Sequence, residues 1–329
     1  MAELLEQDAP RFSIEEAEAL ARERFGVAGA ARLLTSERDQ NFRISCDDGQ
    51  TFVLKIANPA EDEAVVVFQN AVLEHIAATD AGVPTPRVVR ALDGAGYVHA
   101  SGSRVRLMTW LSGSLMHQVE RTPTLRASLG AAHARMALAL KDCDAPAPPQ
   151  DLLWDLQHAL RLRRLLEHIA EPADCAMLTG VLDRFQSDAE PMLARLLPQV
   201  IHNDLNPHNV VIDDAGRVSG IIDFGDMVRA PLICDVAVAA AYHVRPGPAP
   251  LADAADYVAA FHAALPLHED ERALLPLLIE TRMAMSVLIT TWRATLYPEN
   301  RDYILRNAPT AWAGLRAMRA PGADRRLSL

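Results

Sequence analysis

One island of strand-like sequence, residues 199–226, breaks a second half that otherwise reads as helix, and it constrains the fold more than any other feature. Its apolar runs are short and rich in β-branched residues: Val200-Ile201, Val210–Ile212 and Val218–Ile222. The turn Asp213-Asp214-Ala215-Gly216 joins the last two runs. Helical periodicity surrounds the island over residues 125–140, 152–169, 176–196, 253–265, 273–296 and 303–318. The island therefore delivers polar loops from strand ends into a helical body. One loop reads His202-Asn203-Asp204-Leu205-Asn206-Pro207-His208-Asn209, and the last strand ends in Asp223-Phe224-Gly225-Asp226.

The first third has a different texture. Residues 12–25 show helical spacing, with Ser13 and Glu16 placed as a capping box and Gly26 as the stop. Strands are expected over Ala31–Thr35, Asn41–Cys46 and Thr51–Ala57, the last two joined by the hairpin turn Asp47-Asp48-Gly49-Gln50. A helix over residues 60–79 and two more strands, Arg87–Leu92 and Arg104–Trp110, lead to Leu111-Ser112-Gly113. Ala145-Pro146-Ala147-Pro148-Pro149 is a rigid connector too short to separate domains. The expectation is an α+β chain of two lobes sharing a cleft: an antiparallel N-terminal lobe over 1–110 and a mostly helical C-terminal lobe over 111–329.

Composition narrows the partners. A formal net charge of −11 repels phosphate backbones and anionic lipid, which argues against nucleic-acid and membrane partners and suits a cationic or zwitterionic small molecule. The longest apolar helical stretch, near 273–288, carries Glu280 and Arg282, which argues against a membrane span. Met1–Pro10 has no basic segment leading into an apolar run, and Cys46, Cys143, Cys175 and Cys234 form no CxxC pair. Both features point to a cytoplasmic protein with reduced thiols. The chain has only two lysines, Lys55 and Lys141. Lys55 lies inside the apolar strand Phe52-Val53-Leu54-Lys55-Ile56.

The spacing His-x-Asp-x4-Asn, followed one hairpin later by Asp-Phe-Gly, matches the catalytic loop and metal site of the kinase fold. Phosphoryl transfer asks for positioning and charge rather than covalent chemistry. Asp204 is expected to orient or accept the proton of an attacking hydroxyl. Asn209 and Asp223 offer the hard oxygen ligands that Mg²⁺ prefers. His202 would buttress the loop without touching substrate. Lys55 sits where a kinase lysine reaches the nucleotide phosphates. The glutamate that usually pairs with it is replaced, at the expected helical position, by Gln69, which can hydrogen-bond Lys55 without opposing charge. Glu74 lies about 140° further round that helix and faces elsewhere.

On these residues the chain resembles the aminoglycoside phosphotransferase-like family, which includes choline, homoserine and hydroxylysine kinases. The resemblance spans Ser36-Glu37-Arg38-Asp39-Gln40-Asn41-Phe42, Lys55, the hinge Leu107–Gly113, and residues 202–243. It implies that Ser36, Asp39 and Asn41 shape the loop over the phosphates, the alternative being an ordinary polar turn. It also implies that Met108, Trp110 and Leu111 line a purine pocket. The sub-patterns Ser-Glu-Arg-Asp-Gln-Asn-Phe and Phe-Gln-Asn-Ala-Val-Leu-Glu resemble the hydroxylysine kinase branch and the kinase-like domain joined to class III aminotransferases. That branch implies GTP or ATP as donor and 5-hydroxylysine as acceptor. Homoserine, choline, an aminoglycoside or a sugar is the alternative acceptor, and a nucleotide-binding pseudokinase is the non-enzymatic one. Asp235 resembles the aspartate that holds catalytic-loop backbone. Asp226 would bind a substrate ammonium or cap the next helix, and Glu280 and Arg282 would hold an amino-acid acceptor by its two charges.

Overall fold

The computed structural model describes residues 10–36, 39–79, 81–149, 152–324 and 326–327. The expected Glu37-Arg38 portion of the polar loop lies outside the described residues. The chain divides into two compact units. The first comprises Met1–Gly113 with Cys143–Asp151 and Ser219–Ile222, and the second comprises Ser114–Asp142, Leu152–Val218 and Asp223–Leu329.

The first unit opens with α1 (Ile14–Phe25), where Ser13 and Glu16 form the expected capping box and Gly26 closes the helix at φ 71°. Strands β1 (Ala30–Leu34), β2 (Gln40–Ser45) and β3 (Thr51–Ile56) follow, then α2 (Glu63–Ala78) under an Asp62 cap. Strands β4 (Val88–Val89), β5 (Val98–Ala100) and β6 (Ser103–Thr109) complete an antiparallel sheet of order β1-β2-β3-β6-β4, with β5 on β6. Alternation sets its two faces. Phe42, Ile44, Phe52, Leu54, Ile56, Val105 and Leu107 turn to one face and form a core with Ala17, Ala21 and Phe25 of α1. Lys55 and Arg106, directly opposite each other in the register of β3 and β6, take the other face.

The second unit is mostly helical. Its short β7 (Ser114–Leu115) precedes α3 (Pro123–Leu140), and α3 packs along α6 (Ala252–Ala264). Gly130 makes that approach possible, because a Cβ there would lie 2.2 Å from the Tyr257 carbonyl oxygen. The expected helix over 152–169 is instead a run of 3₁₀ turns, Leu156–His168, interrupted at His158. The helix expected over 176–196 is α4 (Pro172–Arg184), a π turn at Phe185–Ala189, and one further turn at Glu190–Leu193. Pro191 has no N–H to give the carbonyl four residues back, so the α ladder is broken there.

Strands β8 (Pro198–Ile201), β9 (Val210–Ile212) and β10 (Val218–Ile221) fall on the expected island, and β11 (Val228–Pro231) is an addition. β11 runs antiparallel to β8 with Val228 opposite Ile201. That pairing draws residues 223–227 beside the loop that begins at His202. α5 (Leu232–Ala241) follows, and α7 (Glu269–Leu296) forms the buried axis of the unit, with α8 (Ala308–Arg319) against it. α7 is long and apolar enough to cross a membrane by composition, but 83% of its apolar window is buried inside the protein.

Candidate active site

The loop 202–209 hangs on a buried carboxylate. Asp235, on α5 and 1% exposed, accepts the backbone N–H of Asn203 at 2.7 Å and that of His202 at 3.0 Å. His133 of α3 meets the same carboxylate through Nε2 at 3.0 Å, and its Nδ1 lies 2.6 Å from the Tyr257 hydroxyl. Burial pushes the Asp235 carboxyl up, but His133, His202 and the Asn203 N–H outweigh it and hold the group below its ordinary range. The anchor keeps Asn203 at φ 64°, a left-handed conformation in which its Nδ2 donates to the Asp226 carbonyl at 3.1 Å. The His202 ring stands edge-on to Phe224 with centroids 4.8 Å apart, which packs the loop onto the Asp-Phe-Gly segment.

Asp204 is presented by this frame. Its Oδ2 accepts hydrogen bonds from Asn206 Nδ2 and Asn209 Nδ2, each at 2.9 Å, and its Oδ1 lies 3.5 Å from Arg282 Nη2. The side chain keeps 23% of its surface open, enough for a reacting group to reach it. Burial and the nearby Asp226 charge push its pKa up to about 7, against the pull of Arg282 and Asn206, with Asp223 adding to the rise. A carboxylate tuned near neutrality is suited to take a proton from a hydroxyl.

Asn209 spends its Nδ2 on the Asp204 carbonyl and carboxylate, so its amide oxygen is the group it can offer elsewhere. Asp223 takes φ 62°, and Gly225 leaves room for its carboxylate, since a Cβ on Gly225 would lie 3.1 Å from Asp223 Oδ1. An amide oxygen and an aspartate carboxylate are both hard oxygen donors of the kind that fits Mg²⁺, which fills its remaining positions with water and phosphate. Among the described residues no group of three or more His, Cys, Asp or Glu side chains forms a metal cluster.

The structure separates Arg282 from Glu280. Arg282 reaches Asp204, donates to the Trp154 carbonyl at 2.8 Å, and lies over the Trp154 ring at 4.8 Å. It also hydrogen-bonds the Tyr242 hydroxyl. Glu280, two positions earlier and about 200° round the helix, pairs with Arg184 and Arg319 instead. The expected acid–base couple for an amino acid is therefore not assembled by these two residues. Arg282 also lines a cavity of about 150 Å³ with Arg121, His117, His208, Tyr242 and Asn307. Of these only Arg282 was singled out in the sequence. His208, inside the loop 202–209, was the one other available signal, and its ring lies tilted against His117 with centroids 4.0 Å apart.

In the first unit, Lys55 Nζ pairs with Asp39 Oδ2 at 2.9 Å, and Asp39 Oδ1 accepts the Asn58 N–H at 3.2 Å. Gln69 Oε1 accepts from Arg106 Nη2 at 2.5 Å, and Arg106 Nη1 reaches Asn70 at 3.3 Å. Gln69, expected at the place of the usual glutamate, thus bonds Arg106, and the carboxylate beside Lys55 comes from the loop residue Asp39. Asn41 faces Lys55 across β2 and β3, and its buried Oδ1 has no hydrogen-bond partner among the described residues. Ser36 is exposed. Met108, Trp110 and Leu111 are half-buried, and Arg43 lies over the Trp110 ring at 4.7 Å.

The chain is similar to known kinases in sequence and fold. The hydroxylysine kinase of Mus musculus is 27% identical over 94% of this chain and 90% of its own length. Two solved structures share the fold. A microcompartment-associated aminopropanol kinase is 19% identical with a TM-score of 0.72, over 94% of this chain and 98% of its own. An amicoumacin kinase solved with AMP-PNP and Ca²⁺ is 15% identical with a TM-score of 0.62, over 85% and 89%. The model of the phosphotransferase enzyme family matches residues 30–277, a span that takes in Lys55, the loop of Asp204, Asp223 and Asp235, and on that match the chain belongs to this family.

Proposed function

We propose that this phosphotransferase moves the γ-phosphoryl group of GTP or ATP to a hydroxyl of a small amino compound, with 5-hydroxylysine the best-supported acceptor. The observation that carries the reading is Asp204. It is held by Asn206, Asn209 and Arg282, with a pKa of about 7, beside Asp223. Asp204 orients the acceptor hydroxyl and takes its proton as the oxygen attacks phosphorus. Asn209 and Asp223 are the residues that would hold Mg²⁺, which when bound screens the charge on the transferring phosphate. Lys55 grips the nucleotide phosphates, and Asp39 and Asn41 set the loop beside it. His202 and Asp235 keep the catalytic loop in place. The hydroxylysine kinase relatives favour the acceptor named.

The test is a transfer assay with Mg²⁺ and either ATP or GTP across 5-hydroxylysine, homoserine, choline, an aminoglycoside and a hexose. Phosphorylated 5-hydroxylysine is the expected product. A faster reaction with another acceptor replaces the named one. Nucleotide-dependent thermal stabilisation without any product overturns the enzymatic reading in favour of a pseudokinase.

A further inference from the structure

The cavity beside Asp204 carries a charge opposite to that of the whole molecule. The protein has a formal net charge of −11, yet the cavity is lined by Arg121 and Arg282 and, among the described residues, by no aspartate or glutamate. Its two histidines do not change that sign.

Two features point to an anionic occupant. Arg282 is 98% buried and bonded to Asp204, Trp154 and the Tyr242 hydroxyl, while its Nε has no hydrogen-bond partner among the described residues. A buried guanidinium N–H without an acceptor is costly, and a ligand oxygen would satisfy it. Arg121 is half-buried, donates to the Tyr242 carbonyl through Nη1 at 2.6 Å, and lines the same cavity with Ser286, Asn307 and Thr310. A planar carboxylate is a small anion whose geometry suits guanidinium groups.

We infer that this cavity is a carboxylate-recognising acceptor pocket, with Arg121 and Arg282 selecting hydroxy amino acids over amines that lack the carboxylate. The inference rests on the kinase reading above, because it places the acceptor hydroxyl at Asp204. A polycationic acceptor would meet like charge from both arginines, so the pocket disfavours aminoglycosides and choline. The residue that sets specificity is Arg121, since Arg282 is already tied to the base.

The test uses binding, which does not depend on turnover. Calorimetry on the full chain compares 5-hydroxylysine with 1,5-diaminopentan-2-ol, and homoserine with 3-aminopropan-1-ol. Each pair differs only by the carboxylate. In at least one pair the acid should bind about 10- to 100-fold more tightly, the size of one or two charge-assisted hydrogen bonds. Arg121→Met should bring that ratio towards one, and Arg121→Lys should restore part of it. If Arg121→Met does not fold, Thr310→Asp sets a like charge against the ligand from an exposed position and should abolish the preference. Equal affinity within both pairs, no binding of any of the four, or a ratio untouched by these changes overturns the inference. The two readings fail separately. Carboxylate-dependent binding without transfer to any acceptor removes the kinase and leaves the pocket. Equal transfer to the acid and its amine does the reverse.

Discussion

Arg282 holds its Nη2 3.5 Å from Asp204 Oδ1, and this contact opposes the burial and the Asp226 charge that push the same carboxyl up to about 7. As the proposed base, Asp204 must be ionised to work, so kcat/KM should fall tenfold per pH unit below about 7. Arg282→Met removes the cation that favours the ionised form. Its acid limb should move to higher pH, and its rate at pH 7 should drop by about tenfold or more. Unmoved pH profiles in the two proteins would disprove the tuning.

Asp204→Asn should lower kcat by ~10²–10⁴ and leave nucleotide affinity in place. Its stability should change in the opposite sense. A carboxyl whose pKa is raised by folding stabilises the protein below its unfolded pKa, and that contribution is lost as pH rises through about 7. The variant should therefore melt above wild type at pH 8 and converge with it near pH 4. Thermal melts at both pH values read the difference.

Gly225→Ala would set a methyl group 3.1 Å from Asp223 Oδ1, and the carboxylate would have to shift. The Mg²⁺ concentration needed for half-maximal activity should rise by about tenfold, an order set by the loss of one well-placed ligand oxygen. A metal titration of activity is the measurement.

Asp235→Ala removes the acceptor of two backbone N–H groups and strands His133 in the interior. The cost should be about 3–5 kcal/mol in denaturant unfolding, as for other broken buried pairs. His133→Ala should cost a similar amount, and the double variant should cost less than the sum because both changes break one network.

Lys55→Met should raise the nucleotide KM and lower kcat/KM for nucleotide by about 10²–10³, the range for losing one preorganised donor to a transferring group. The acceptor KM should change little. Asp39→Asn, which leaves the lysine without its carboxylate partner, tests whether that pair orients the ammonium.

The catalytic island was legible because its chemistry is local. His202, Asp204, Asn209 and Asp223 sit at fixed spacing on strand ends, and the strands themselves have short β-branched runs. α5 was not legible, since Leu232–Ala241 is buried on nearly every side and shows no polar face to mark a helical period. The 3₁₀ run at Leu156–His168 has the periodicity of an α-helix, and its hydrogen-bond pattern leaves no trace in spacing. Glu280 and Arg282 read as a pair, although two steps on a helix point nearly opposite ways. Arg121 was missed altogether. It lies beside Tyr242 only because residues 121 positions apart meet in the folded unit.

Pro207, His208 and Arg282 tie the cavity to the loop of Asp204, but the rest of its lining lies outside the anchor of that loop. His133, Asp235, His202 and Asn203 hold the loop, whereas Arg121, Asn307 and Thr310 face the cavity. Under the proposed function, mutation at Arg121, Asn307 or Thr310 would change the acceptor without touching Asp204 or its anchor. In such a scaffold, substrate range can drift between lineages while the reaction stays the same.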